Sequence, residues 1–325
     1  MSQEASDLGQ ALQLPDPARD GYHQCWYPIA MTREVPAGTV ISKEFMDGRV
    51  AVWRGEDGVA HVQSAFCRHL GADLAVGTVT GNTLRCIFHH WEYGGDGRCV
   101  KIPATTAIPP RARLYNFPSA EKWGLIWAFN GDKPLYDVPH FPTFKEEQVA
   151  HRVFECQPLP VPAYLIVGNT HDFQHVKAVH KAIMDKEPED FALDGYTIEF
   201  QNEVTDPNLG KAKQHFKLFG TNTVALENKF GPMLILSLYS GTPISGGRTK
   251  GYTVTATPKA PGVDVEKILD RGEAFGKNIM AEDDVLLNTI RFKPEMPIAA
   301  DHHLVRWLRR AAQYPAAHPS KSFIT

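Results

Sequence analysis

The chain has few cysteines, no long apolar run and no excess of charge of either sign, and each shortage removes a class of function. Five cysteines in 325 residues are an odd and sparse set, which excludes a disulfide framework and fits a reducing compartment. No stretch approaches the roughly 18 apolar residues of a membrane-spanning helix. The opening MSQEASDLGQALQLPDPARD lacks the positive start and apolar run of a secretory signal. A soluble, cytoplasmic protein with no membrane partner is expected. With 34 Lys and Arg against 37 Asp and Glu the formal net charge is -3, so the basic footprint that nucleic-acid phosphates require is missing. No G-x-G-x-x-G follows a candidate strand and no four-cysteine ferredoxin run occurs, so neither a nicotinamide or flavin fingerprint nor a ferredoxin motif is present.

What is there is an ordinary globular composition, 43% hydrophobic and 22% charged, long enough for about two domains. From Tyr22 to about Asn130, short β-type runs such as GRVAVWR, VAHVQSAF, TLRCIF and WGLIWAF alternate with Gly-rich turns. A Pro-rich passage from Gly131 to about Pro162 reads as a connector packed on the surface, with a first strand of the next domain in HRVFECQ. Beyond it the pattern predicts a helical stretch from Ala163 to about His180, strands in KQHFKLFG, MLILSLYSG and GYTVTATP, and a charged helix from about Val265 to Ile290. The fold class is α+β. The expected division is a mobile segment 1–20, an all-β domain over 21–135 and a second domain over 136–325.

Two of the five cysteines stand beside histidines. Cys67-Arg-His69 and Cys86-Ile-Phe-His89 each offer one thiolate and one imidazole, with sixteen residues between the two halves. Two facing loops of this kind can hold a [2Fe-2S] cluster with both cysteines on one iron and both histidines on the other, which is Rieske ligation. Zinc is the competing reading, although zinc sites of two cysteines and two histidines usually pair like with like. Cys99 lies close by, but the four positions are filled, and a buried small hydrophobe is the plainer reading. His90 and Trp91 fit packing as well as they fit shaping the solvent boundary of a cluster.

A Rieske cluster passes single electrons and has no open coordination position, so an enzyme built on it needs a second site. The run GNTHDFQHVKAVH, residues 168–180, supplies Asp172, His175 and His180. Two histidines and one carboxylate make the facial triad of non-haem iron(II) oxygenases. Asp172 and His175 are neighbours on a helix, but the five-residue step to His180 is about 140° of helical rotation. Both histidines can reach one metal only if the helix breaks or takes a π-type turn in Val176 to Val179. Asp172 suits an outer role, accepting from the His175 ring, so the direct carboxylate is expected in GKNIMAEDDVLLNTI: Asp283 first, with Asp284 and Glu282 as alternatives. A solvated acidic face is the bland reading of that run. His171, His302 and His303 have no clear place in the ligand set.

The combination resembles the oxygenase component of the Rieske non-haem iron oxygenases over nearly the whole chain. FHHWEYGGDGRC and Asn169, three residues before Asp172, look most like the 3-ketosteroid hydroxylase branch, with the vanillate-type demethylases sharing the architecture. The resemblance implies a helix-grip catalytic domain and a homotrimer. It implies that His175, His180 and Asp283 bind iron, that Asn169 lies near it, and that Asp172 links His175 to His89 of a neighbouring subunit. It implies an NAD(P)H-dependent reductase, with or without a ferredoxin, as electron donor. The reaction would be insertion of one oxygen atom of O2 into a C–H bond, with release of water, and on a methoxy or N-methyl carbon this becomes demethylation. An apolar cavity lined by 216–219, 233–239 and 252–256 would suit a steroid, terpenoid or aromatic ring. A Rieske electron carrier fused to a ligand-binding domain, and a zinc-bearing interaction protein, are the alternatives.

Overall fold

A computed structural model describes residues 13–317. Of the segment expected to be mobile, residues 1–12 lie outside that range, while Pro17–Asp20 forms one helical turn capped by Asp16, whose side chain accepts from the Ala18 N–H. The chain separates into two compact units. One comprises residues 24–138 with 242–246, and the other comprises 139–241 and 247–316 with the residues leading to His23.

The first unit is built from small antiparallel sheets. Gly48–Arg54 buries five residues in succession and lies between Val40–Phe45 and Ala60–Ser64. A separate four-stranded meander runs through Thr78–Thr80, Thr83–Arg85, Glu92–Gly94 and Cys99–Lys101. Its core includes Trp53, Leu74, Leu84, Tyr93 and Leu114, and the same cluster contains Cys67 and Cys86. The two thiols are therefore anchored in packed apolar surroundings.

The second unit is one antiparallel sheet with helices. Its strands are β1 (Val149–Glu155), β2 (Ala192–Asp194), β3 (Thr197–Asp206), β4 (Gly210–Phe219), β5 (Thr223–Phe230), β6 (Met233–Ile244) and β7 (Arg248–Pro258), in the order β1-β7-β6-β5-β4-β3-β2. The helices are α1 (Ala163–Gly168), α2 (Phe173–Ala178), α3 (Val265–Leu287) and α4 (His302–Ala312). Gly272 lets α3 approach the sheet closely: a Cβ there would stand 2.6 Å from Thr255 Cγ2 and 3.0 Å from Ile235 Cγ2. A glycine in mid-helix costs helix propensity, and here close packing requires it.

Three expectations are corrected. The Pro-rich passage is not a surface connector throughout, because Phe141, Leu159 and Val161 are buried and Leu159 pairs with Thr249. The helical stretch from Ala163 is two helices joined by a 3-10 turn at Asn169–His171, with Asp172 leaving the helical conformation at φ -97°, ψ 82°. The charged helix stops at Leu287, where Asn288 turns both its backbone and side-chain N–H groups back onto the Asp284 carbonyl.

Candidate metal centres

The two Cys-His loops are built alike. In each, the residue four places after the cysteine donates its N–H to the cysteine carbonyl, Gly71 to Cys67 at 2.9 Å and His90 to Cys86 at 3.1 Å. In each, the cysteine N–H donates to the carbonyl five places on, that of Ala72 or Trp91, at 2.9 Å. Both loops need a left-handed residue at the same place: Gly71 has φ +77° and His90 φ +56°. The glycine adopts this freely, whereas the histidine is strained.

Depth separates the donors. Cys67 is 4% and Cys86 1% exposed, whereas His69 and His89 stand on the surface with ring centroids 4.7 Å apart. Trp91 stacks on His69 at 4.6 Å and 7°. Burial pushes the Cys67 thiol above its ordinary pKa, so a thiolate there needs a cation. Tyr93 Oη is 3.1 Å from Cys67 Sγ. Burial first, and then Cys67 itself, push the Tyr93 hydroxyl far above its ordinary value, so it stays protonated and can donate to a ligated sulfur. Among the described residues, two groups of three ligand atoms lie within 4.8 Å of one another, and this quartet is not one of them. Mixed Cys-His pairs on two facing loops suit two irons bridged by sulfides, with both thiolates on one iron and both imidazoles on the other.

The first of those compact groups is His175, His180 and Asp283. Asp172 begins α2 as its N-cap, its Oδ1 accepting from the His175 backbone N–H at 2.9 Å, not from the His175 ring as expected. The helix ends at Ala178. Lys181 takes φ +56° and the Ala182 N–H reaches back to the Val176 carbonyl at 3.3 Å. This break brings His180 round to His175, with the two Nε2 atoms 3.1 Å apart. The carboxylate comes from the last turns of α3. Leu287 packs against Leu159 and Val161, and Asp283, four residues earlier on the same face, places Oδ1 2.9 Å from His175 Nε2 and 3.3 Å from His180 Nε2.

At these short distances Asp283 Oδ1 is buried, and neither imidazole meets it in good hydrogen-bonding geometry. An orphaned carboxylate oxygen facing two imidazole nitrogens fits a divalent cation, and the N,N,O set fits iron(II). Burial would raise the Asp283 carboxyl, but the two imidazoles outweigh it and hold it at about 2. For His180, burial lowers the ring pKa and Asp283 and Glu282 more than reverse it, leaving it raised. Glu282 Oε2 lies 2.7 Å from His180 Nδ1, where a carboxylate can hold the proton on Nδ1 and leave Nε2 able to bind a metal. Asp284 lies in the cavity wall beside Asp283 and is not one of the three converging groups.

A cavity of about 260 Å³ opens beside the triad. Ile166, Val176, Phe216, Leu226, Phe230 and Tyr239 give it an apolar wall, and His180, Asp283 and Asn169 lie in that wall as well. The Asn169 Nδ2 is buried without a partner. Of the segments expected to line it, Phe216, Ser237, Tyr239 and Thr253 do so, joined by residues of β3 and β5. His171 is buried, stacked between Phe191 and Trp307 and bonded to Thr170. Sequence spacing missed the second compact group, Glu187, His302 and His303, since Glu187 is far away in the chain. Lys177 Nζ already holds Glu187 at 2.6 Å. Cys99 is buried, as a small hydrophobe would be.

Residues 25–118 match the Rieske [2Fe-2S] domain family. Among curated proteins, cholesterol 7-desaturase nvd of Bombyx mori is 34% identical over 176 residues, 52% of this chain and 37% of that protein. The probable 3-ketosteroid-9-alpha-monooxygenase oxygenase component of Rhodococcus rhodochrous is 34% identical over 148 residues, 44% and 37%. The matched segments thus span about a third of these relatives. Among solved structures, Pseudomonas putida CBB5 NdmB aligns with TM-score 0.75 at 18% identity over 93% of both chains. Dicamba monooxygenase bound to dicamba aligns with TM-score 0.70 at 20% identity over 90% of this chain and 96% of that one. The comparisons bear out the resemblance to the Rieske oxygenases: the domain is matched by sequence, and the fold is shared along nearly the whole chain.

Proposed function

We propose that the chain is the terminal component of a Rieske non-haem iron oxygenase. It takes electrons from a partner NAD(P)H-dependent reductase, with or without a ferredoxin, and hydroxylates or oxidatively demethylates an apolar ring-containing substrate such as a steroid or aromatic compound. The observation that carries this reading is the orphaned Asp283 oxygen facing His175 and His180 in the wall of an apolar cavity. In a chain whose other unit matches a Rieske domain, a plain electron carrier has no use for this arrangement. Residues 21–135 serve as the electron-transfer domain and 136–325 as the catalytic domain.

Cys67, His69, Cys86 and His89 hold the [2Fe-2S] cluster, and His175, His180 and Asp283 hold one iron(II). Bound there, iron(II) supplies open coordination positions for O2 chemistry. The protein's own residues do the rest. Glu282 fixes the His180 ring, the apolar wall orients the substrate and excludes water, and Asn169 offers an N–H beside the reacting centre. Asp172 Oδ1 is engaged at the helix cap, and we assign its second oxygen, Oδ2, the link between the His175 ring and His89 of a neighbouring subunit in a homotrimer. Leu70, Ile87 and Phe88, all more than half exposed around the histidine tips, suit a face that docks on another chain.

Protein loaded with iron and supplied with NADH, a surrogate reductase from a related system and O2 is expected to yield products one oxygen heavier, or formaldehyde from methoxy substrates, within a panel of ring compounds of one to four rings. Asp283→Ala should abolish product while leaving the cluster reducible. Substrate-independent cluster oxidation with no product from any ring class would sink the proposal.

A further inference from the structure

Three amide side chains stand in one row across the inner face of the large sheet. Asn202 on β3 is opposite Gln214 on β4, which is opposite Asn228 on β5. Side chains alternate along a strand, so their same-face neighbours Val204, Phe216, Leu226 and Phe230 share the cavity wall with them, and these are apolar. The amides form a chain. Asn202 Nδ2 donates to Gln214 Oε1 at 3.5 Å, and Gln214 Nε2 donates to Asn228 Oδ1 at 2.8 Å. The chain stops at Asn228, whose Nδ2 is buried with no hydrogen-bond partner in a residue that is 0% exposed.

An unpaired N–H in an apolar wall is costly, and such a group in a folded protein calls for an explanation. A leucine would fill the position without that cost. Hydrogen bonds in a chain polarise one another, so Gln214 both orients the Asn228 amide and strengthens its free donor. The metal ligands enter the cavity from α3 and the end of α2, whereas Asn228 enters from β5. We propose that Asn228 determines specificity by donating to a hydrogen-bond acceptor on the substrate, a carbonyl, hydroxyl or carboxylate oxygen, at a point separate from the iron ligands. The substrate class is then an apolar ring compound carrying one oxygen acceptor, held by it so that a different carbon faces the triad. This rests on the cavity being the substrate site.

Equilibrium dialysis tests it without turnover. Matched probes are androst-4-en-3-one against androst-4-ene, and 4-methoxyacetophenone against 4-ethylanisole, with wild-type protein, Asn228→Leu and Asn228→Asp. Wild-type protein should prefer the ketone of at least one pair, and Asn228→Leu should reduce that preference about tenfold with affinity for the matching ketone-free probe unchanged or higher. Asn228→Asp, which replaces the donor with an acceptor, should bind the ketone more weakly still. If Asn228→Leu does not fold, Gln214→Met carries the test by removing the bond that orients the donor. An equal ketone preference in all proteins overturns the inference and leaves the proposed function standing. Failure of wild-type protein to bind any of the four probes overturns both.

Discussion

The two candidate metal sites would gather their ligands in opposite ways. The Cys-His loops offer four candidate ligands within 23 consecutive residues, 67–89, each loop closed by its own backbone hydrogen bonds. The triad would take two ligands from a broken helix and the third from α3, about a hundred residues later. The first site is a local fold that needs only a core under it, while the second exists only when the sheet and helices have assembled. The lesson concerns dependence: the local site should tolerate damage elsewhere, and the assembled site should register any shift of α3.

The largest separation between them comes from removing a ligand. Cys86→Ser should abolish the red-brown Rieske absorbance while ferrous iron still binds at the triad, and Asp283→Ala should do the reverse, as visible spectra and iron analysis would show. Simultaneous loss of both metals in either variant would contradict their independence. A smaller effect is expected from Glu282→Gln, which keeps the ligands but weakens the hold on the His180 tautomer. Ferrous iron affinity should fall about 10–100-fold with the cluster spectrum unchanged.

Acid should also distinguish the regions. Burial holds His171 down to about 3, and His23 and His303 to about 4, all in the unit that carries the triad; His61 is a lowered counterpart in the other. Each of these folded values lies below the unfolded value of about 6.5. Their stabilisation is therefore complete above pH 6.5 and is lost as pH falls towards 4, because the unfolded chain takes up protons that the folded chain refuses. Far-UV circular dichroism with tryptic mapping should show 139–316 opening before 24–138, and the opposite order would refute this. The smallest effect tests the likeness of the two loops. His90→Gly relieves a left-handed φ that Gly71 meets freely, and should stabilise the cluster domain by about 1 kcal/mol in denaturant melts, whereas destabilisation would show that the His90 side chain matters more than its backbone.

Locality also governs how much could be read beforehand. The Cys-His spacing is written in consecutive residues, so the ligand reading of the first unit needed no tertiary knowledge. Helical geometry alone showed that His175 and His180 need a break between them, and the structure has the helix end at Ala178. That Asp283 lies with them, while Glu282 takes the His180 ring, depends on Leu287 packing against Leu159 and Val161, which no local pattern encodes. Strands β2, β3 and β5 and helix α4 escaped notice. In β3 and β5 the alternation that marks a strand is blurred by Asn202 and Asn228, buried where an apolar residue is expected. The same two amides belong to the row that carries the specificity inference. His302 and His303 offered no spacing to read, because Glu187 reaches them only through the fold.

The most direct test of the account is electron paramagnetic resonance of anaerobically reduced, iron-replete protein exposed to nitric oxide. The account predicts a Rieske signal together with a high-spin iron-nitrosyl signal that alters when a ring compound enters the cavity and is missing in Asp283→Ala. A Rieske signal with no nitrosyl signal in the wild type would contradict it, leaving an electron carrier whose His175, His180 and Asp283 bind no iron.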